Sequence, residues 1–208
     1  MNTPIRVLSI DDHQLMREGI AAVLAREADM QVVAEGADGE QAVALHAQHR
    51  PDVTLLDLQM PRMNGIDALR LIRAQDAQAQ VIVLTTYGGD AQAVAALKAG
   101  ASGYLLKTSL LSELVDTIRR VHAGQRYVPA AMSMQIAAHA ADEPLTQREI
   151  EVLRLVAVGY PNKQVANQLS VSAETIKTHM KNIMDKLRAK DRTHAVTIAL
   201  NRGFLQLQ

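Results

Sequence analysis

At 208 residues, 48% of them hydrophobic and only 2% aromatic, the chain has room for two small domains with cores of Leu, Ile, Val, Ala and Met. It has no cysteine, which excludes a disulfide scaffold and thiolate chemistry and fits a reducing compartment. Its 22 basic and 22 acidic residues cancel, but residues 1–143 hold 12 basic against 17 acidic and residues 144–208 hold 10 against 5, so the C-terminal part is expected to meet a polyanion.

The N-terminus, MNTPIRVLSIDDH, lacks the apolar run of a signal peptide. No stretch approaches the roughly 18 unbroken apolar residues of a membrane span, so no membrane partner and a cytoplasmic location are expected. Short apolar runs follow at Arg6–Ile10, Gln31–Ala34, Val53–Leu56, Val81–Thr85 and Gly103–Leu106. Helical periodicity lies between and after them, near Gln14–Arg26, Gly39–His49, Ile66–Ala74, Ala91–Ala99 and Leu111–His122. Five such units predict an α/β domain over residues 1–122, a five-stranded, parallel, doubly wound sheet with helices on both faces. Residues 123–143 are Ala-rich, broken by Gly124 and Pro129, and read as a linker with room for a short helix. From Pro144 the pattern is helical only, which predicts a small all-α domain over residues 144–208.

Sites in doubly wound folds form at the C-terminal ends of the strands. Asp11 and Asp12 follow the first apolar run, Asp57 the third and Lys107 the fifth, while Thr85 ends the fourth. A strand-end Asp by itself often only caps a helix, but the five groups together should converge on one edge. Three carboxylates there repel one another and call for a cation, and hard oxygen ligands suit Mg²⁺. A hydroxyl and an ammonium opposite can hold phosphoryl oxygens, so the pocket points to phosphoryl transfer onto a carboxylate. The segments IDDH (10–13), LLDLQMPRMNG (55–65), VIVLTT (81–86) and AGASGYLLK (99–107) give residues 5–122 a clear resemblance to the CheY-type receiver domain. That resemblance implies Asp57 as phosphoacceptor, Mg²⁺ held by Asp12 and Asp57 with Asp11 assisting through water, and Thr85 and Lys107 on the phosphoryl group. It also implies that Pro61 and Gly65 shape the loop after the nucleophile and that the rotamer of Tyr104 tracks phosphorylation. Gln59 and Tyr87 stand where the family tunes loss of the phosphoryl group to water, and a bulky Tyr87 predicts slow self-dephosphorylation.

In the C-terminal part, Thr146 with Glu149 forms a capping box that starts a helix. Gly159 and Pro161 mark the end of that helix and the start of the next, and further helices fit Asn162–Leu169, Ser172–Leu187 and Asp191–Arg202. Only Ser170 and Val171 separate the second and third of these four helices, the spacing of a helix-turn-helix. Ile176, Met180, Ile183 and Leu187 make one buried stripe. Lys177, Thr178, Lys181 and Asn182 lie off it, where a recognition helix presents base-reading side chains to the major groove. Lys163, Lys186, Arg188, Lys190 and Arg192 are candidates for phosphate contacts. From LTQREIEVL through NKQVANQLSVSAETIKTHMKNIMDKL to DRTHAV, residues 144–203 resemble the LuxR-type DNA-binding domain of NarL/FixJ-class regulators. The resemblance implies base contacts from Lys177, Thr178 and Lys181 and a dimer surface around Thr193–Leu200. Pro161 stands where the family often has Ser, so that helix loses a side-chain cap.

The resulting expectation is a two-component response regulator and not an enzyme. A sensor histidine kinase phosphorylates Asp57, and the protein dimerises and binds double-stranded promoter DNA, with RNA polymerase a further candidate partner. An aspartyl phosphatase is disfavoured because Gln59 occupies the place of its second Asp. A regulator working without phosphorylation is disfavoured by the complete pocket. His46 and His49, spaced i and i+3, have no nearby carboxylate or Cys to complete a metal site, and His179 reads as a packing or DNA-side residue.

Overall fold

The fold is given by a computed structural model, which describes residues 3–86 and 88–205. β1 (Ile5–Ile10), β2 (Met30–Gly36), β3 (Val53–Asp57), β4 (Val81–Thr85) and β5 (Gly103–Leu106) form one parallel sheet in the order β2-β1-β3-β4-β5. They alternate with α1 (Gln14–Leu24), α2 (Gly39–His49), α3 (Gly65–Gln75), α4 (Asp90–Lys98) and α5 (Leu110–His122), so the five βα units of the periodicity are the five in the structure. Every residue of β3 and β4 is buried, which is why these strands read as continuous apolar runs rather than as alternating ones. The core on one side of the sheet joins Leu55, Ile82, Leu84 and Leu105 to Ile20 and Leu24 of α1 and to Leu114, Ile118 and Val121 of α5.

β2 runs beyond its apolar run, Gln31–Ala34, to the buried Met30 at one end and the buried Gly36 at the other, and its pairing with β1 slips by one residue between Val7 and Leu8. Residues beyond α5, read as linker, are partly committed to the sheet. Tyr127 bridges Gly103, its amide donates to the Ser102 carbonyl at 3.0 Å, and its own carbonyl accepts from the Tyr104 amide at 2.9 Å. The exposed edge of β5 is thereby covered over that stretch. α6 (Ala130–Ala138) follows.

The chain divides into two compact units, one of Met1–Tyr87 and Ala93–Ser133, the other of Gly88–Gln92 and Met134–Gln208. The second carries α7 (Gln147–Ala157), α8 (Asn162–Gln168), α9 (Ala173–Leu187) and α10 (Arg192–Asn201). The expected capping box opens α7: the Thr146 hydroxyl accepts from the Glu149 amide and the Glu149 carboxylate accepts from the Thr146 amide. Pro161 is the N-cap of α8 and offers no side-chain cap. Leu153, Val165, Ile176, Met180, Ile183, Leu187 and Ala195 form the shared core of these helices. No helix among the described residues is long and apolar enough to cross a membrane.

Candidate functional site

The strand order reverses between β1 and β3, so the connections after these strands diverge and leave a crevice at their C-terminal ends. In-register pairing sets the lining: Asp57 lies beside Leu84 and Thr85 beside Leu106, so the residues ending β1, β3, β4 and β5 reach one edge together. Asp11, Asp57 and Thr85 are buried there, with Asp12 more exposed. Lys107, on a single 3₁₀ turn after β5, brings its ammonium 2.7 Å from Asp11 Oδ2 and 2.9 Å from Asp57 Oδ2. These two oxygens are buried and meet the ammonium as an ion pair, without a well-aligned hydrogen bond of their own.

Burial pushes the Asp57 carboxyl up from the ordinary Asp value, with the Asp11 charge adding to the rise, while Lys107 and the Gln59 amide oppose it. Burial works against the Lys107 charge as well, but Asp11 and Asp57 outweigh it and hold the ammonium above its ordinary value. Lys107 therefore stays charged, and the phosphoacceptor candidate is a desolvated carboxylate next to a fixed cation. Gly65 is required at the start of α3, because a Cβ there would fall against the Asp57 carbonyl oxygen.

Oxygens of Asp11, Asp12 and Asp57 and an imidazole nitrogen of His13 lie within 4.8 Å of one another. The carboxylate oxygens of this group, buried at Asp11 and Asp57 and exposed at Asp12, fit a hard divalent cation such as Mg²⁺. Sequence reasoning missed His13, whose Nδ1 lies 2.7 Å from Asp12 Oδ1 and 3.3 Å from Asp11 Oδ1. Its place directly after the Asp pair was the available signal. Tyr104 is fully buried on β5 and shares a hydrogen bond with Thr85; burial pushes its hydroxyl up to about 12. Tyr87, the predicted shield of the phosphoryl group, lies outside the described residues. His46 is buried with Nδ1 3.0 Å from the Thr54 hydroxyl, where it joins α2 to β3.

The second candidate surface is on α8 and α9. Ser170, at φ +53, makes the turn between them, and Ser172 caps α9 by accepting the Thr175 amide. Ile176, Met180, Ile183 and Leu187 are the buried stripe, as the spacing predicts. Lys177, Thr178, Lys181 and Asn182 are exposed on the other face. Lys177 rests 3.0 Å from Glu174, and the Thr178 hydroxyl donates to the Glu174 carbonyl at 3.1 Å.

The proposed phosphate-contacting residues are not alike. Lys163, Arg188, Lys190 and Arg192 are exposed, although Arg188 reaches Asp142 at 3.2 Å. Lys186 is only 12% exposed, and its ammonium is held by Glu149 at 3.0 Å and Glu143 at 2.9 Å. It ties α9 to the start of α7 and faces protein rather than solvent.

Models of two families match the chain. The response regulator receiver domain covers residues 7–119, and the luxR family of bacterial regulatory proteins covers residues 143–199. The transcriptional regulatory protein YxjL of Bacillus subtilis is 40% identical over 213 residues, spanning 97% of this chain and 98% of its own. The response regulator protein VraR of Staphylococcus aureus is 35% identical over 207 residues, spanning 97% and 99%. Among solved structures, the response regulator RcsB in complex with DNA aligns with a TM-score of 0.70 at 25% identity, covering 96% of this chain and 99% of that one.

Proposed function

The chain belongs to the response regulators that join a receiver domain to a LuxR-type helix-turn-helix, a family of transcription regulators rather than enzymes, and from that premise we propose that phosphorylation of Asp57 controls its binding to promoter DNA. The donor is the phosphohistidine of a sensor histidine kinase. An Asp57 carboxylate oxygen attacks the phosphorus, the P–N bond breaks as the P–O bond forms, and the leaving imidazole takes a proton from water. Asp11, Asp12 and Asp57 would hold Mg²⁺, which when bound neutralises charge on the transferring group. Lys107 offers a fixed cation 2.9 Å from the Asp57 carboxylate, and Thr85 offers a hydroxyl. Burial strips water from the nucleophile, so these groups act at low dielectric.

This reading is supported above all by one ammonium lying within ion-pair distance of both Asp11 and Asp57 at the strand ends. A phosphoryl group on Asp57 adds negative charge that Lys107 and Thr85 can follow, and Tyr104, bonded to Thr85, carries the change into β5. Driving a switch from about 1% to 99% active takes roughly 5.5 kcal/mol of differential stabilisation. Homodimerisation and DNA binding supply the part that the phosphoryl group does not. Paired α9 helices then read an inverted repeat, with Lys177, Thr178, Lys181 and Asn182 on the bases and Lys163, Arg188 and Lys190 on phosphates. RNA polymerase is the next partner at the promoter. The domains of this scheme are residues 1–122, a linker over 123–143, and residues 144–208.

The direct test is incubation with a small phosphodonor and Mg²⁺ followed by intact-mass measurement. One phosphoryl group is expected on the wild type and none on Asp57→Asn. No gain on the wild type refutes the scheme.

A further inference from the structure

The turn that leaves β1 carries Asp11, Asp12 and His13, and Asp11 is held at each of its polar groups. Its amide donates to the Gly36 carbonyl at 3.1 Å, its Oδ1 accepts the His13 amide at 2.9 Å, and its Oδ2 meets the Lys107 ammonium at 2.7 Å. Its carbonyl, the oxygen of the peptide that joins Asp11 to Asp12, accepts from Nη1 of Arg17 at 2.6 Å. Arg17 lies in the first turn of α1, and its Nε is 3.5 Å from Glu35 on β2, the strand beside β1. The Arg17 side chain is only 17% exposed. One guanidinium thus spans from β2 to the Asp11–Asp12 peptide. Asp12 is tied less firmly than Asp11: its carboxylate is 30% exposed, and its partner at 2.7 Å, His13, is itself 71% exposed.

We infer that Arg17 is a positioning residue for Mg²⁺: anchored by Glu35, it fixes the Asp11–Asp12 peptide and so the direction in which the Asp12 carboxylate is presented to the cation. The inference rests on the Mg²⁺ reading of the pocket. A cation that served only to offset the pocket's charge would pair with its carboxylates, as Lys107 does. Arg17 instead meets the main chain between two of them. Arginine suits this place because its planar fork serves a carbonyl through Nη1 and a carboxylate through Nε at once, which a lysine ammonium cannot do in the same geometry. Asp11 keeps three further ties when Arg17 is lost, so the loss falls on Asp12. Partners that orient metal ligands from outside contribute to affinity nearly as strongly as the ligands require.

Arg17→Met keeps much of the apolar stem and removes the guanidinium. In the full chain, with Mg²⁺ titrated in the absence of a phosphodonor and followed by amide NMR shifts, its Kd for Mg²⁺ is expected to rise about 10-fold, the low end of what outer partners of metal ligands contribute. The sign is diagnostic, because removing a positive charge from beside a cation site would by Coulomb's law alone tighten binding. Phosphorylation from acetyl phosphate should need about 10-fold more Mg²⁺ and, once saturated, run within about 2-fold of the wild-type rate, the pattern of lost ground-state binding. Arg17→Lys, which keeps the charge, is expected to recover only part of the affinity. Glu35→Gln should raise the Kd less than Arg17→Met does, and should add nothing to it in the double variant, since both act through one contact. A Kd in Arg17→Met equal to or tighter than the wild type's overturns the inference and leaves both Asp57 and Mg²⁺ in place. If Arg17→Met does not fold, an unchanged Kd in Glu35→Gln overturns it. A wild type that binds no Mg²⁺ overturns the Mg²⁺ reading of the pocket, and this inference with it.

Discussion

Replacing Lys107 by Met removes the ammonium shared by Asp11 and Asp57 and leaves two buried carboxylates facing each other. The pairs measure 2.7 and 2.9 Å, and the three side chains are 6%, 0% and 2% exposed. Breaking a buried ion pair from one side costs about 3–5 kcal/mol, because the remaining charge is uncompensated. Asp57 can relieve part of this by taking a proton, since its pKa, already raised by burial, rises further without Lys107. An acid whose pKa is raised by folding is a liability above its unfolded value of 3.8. The deficit is therefore expected to be full at neutral pH and to shrink as the pH falls toward that value.

Urea unfolding of the full chain at pH 7 without divalent ions, followed by circular dichroism, should move the receiver transition. With a slope of about 2 kcal/mol/M, the shift is roughly 1.5–2.5 M. The helix-turn-helix transition serves as an internal reference. Mg²⁺ at 100 times its Kd should return at least about 2.7 kcal/mol. Asp57→Asn, which relieves the crowding, should move the transition the other way in the absence of Mg²⁺. A Lys107→Met midpoint equal to the wild type, with no dependence on Mg²⁺, refutes the electrostatic account of the pocket.

Glu149 provides a pH test in the second unit. Burial raises its pKa, but the Thr146 cap and Lys186 outweigh this and bring it below 4.5, so its contribution is present above that pH and lost as the pH falls through the lowered value. An acid titration of stability should show this loss in the wild type and not in Glu149→Gln, which should itself cost about 1–3 kcal/mol at pH 7. On DNA, Lys181→Ala should weaken a footprinted operator by about 1–3 kcal/mol and random duplex much less; equal losses on both would contradict base reading. Arg188→Ala and Lys190→Ala should weaken both DNAs alike and each flatten the log–log salt slope by about 0.9 in a binding titration. Asp142→Asn should do the opposite, because Asp142 now pairs with Arg188 at 3.2 Å and Arg202 at 3.1 Å. Unchanged non-specific affinity in this variant would mean that Arg188 does not meet phosphate.

Much of the architecture was legible in the chain because its signals are local. The alternation of apolar runs and 3.6-residue periodicity sets the βα units, and the Ile176, Met180, Ile183 and Leu187 spacing sets the inner face of α9. Thr146 and Glu149 mark the start of α7 within four residues. The strand-end positions of Asp11, Asp57, Thr85 and Lys107 could be read from the same pattern. Boundaries were less legible: β2 outruns its apolar core, and Tyr127, inside an Ala-rich stretch, joins the edge of β5.

Pairings distant in sequence are another matter. Lys186 looks like any surface cation of a basic helix, and only packing of α9 against α7 turns it to Glu149. Arg62 has many carboxylates to choose from, and the close seat of Met63 under Gly39 selects Asp38. His13 enters the acidic cluster through the turn into α1, and Lys107 reaches both carboxylates because the β4–β5 register stops where it does. Which elements form and which chemical groups end the strands both follow from short-range patterning along the chain. Which charges meet was decided only by the tertiary structure, since strand register and helix packing set distances of a few ångströms between residues that the chain does not otherwise relate.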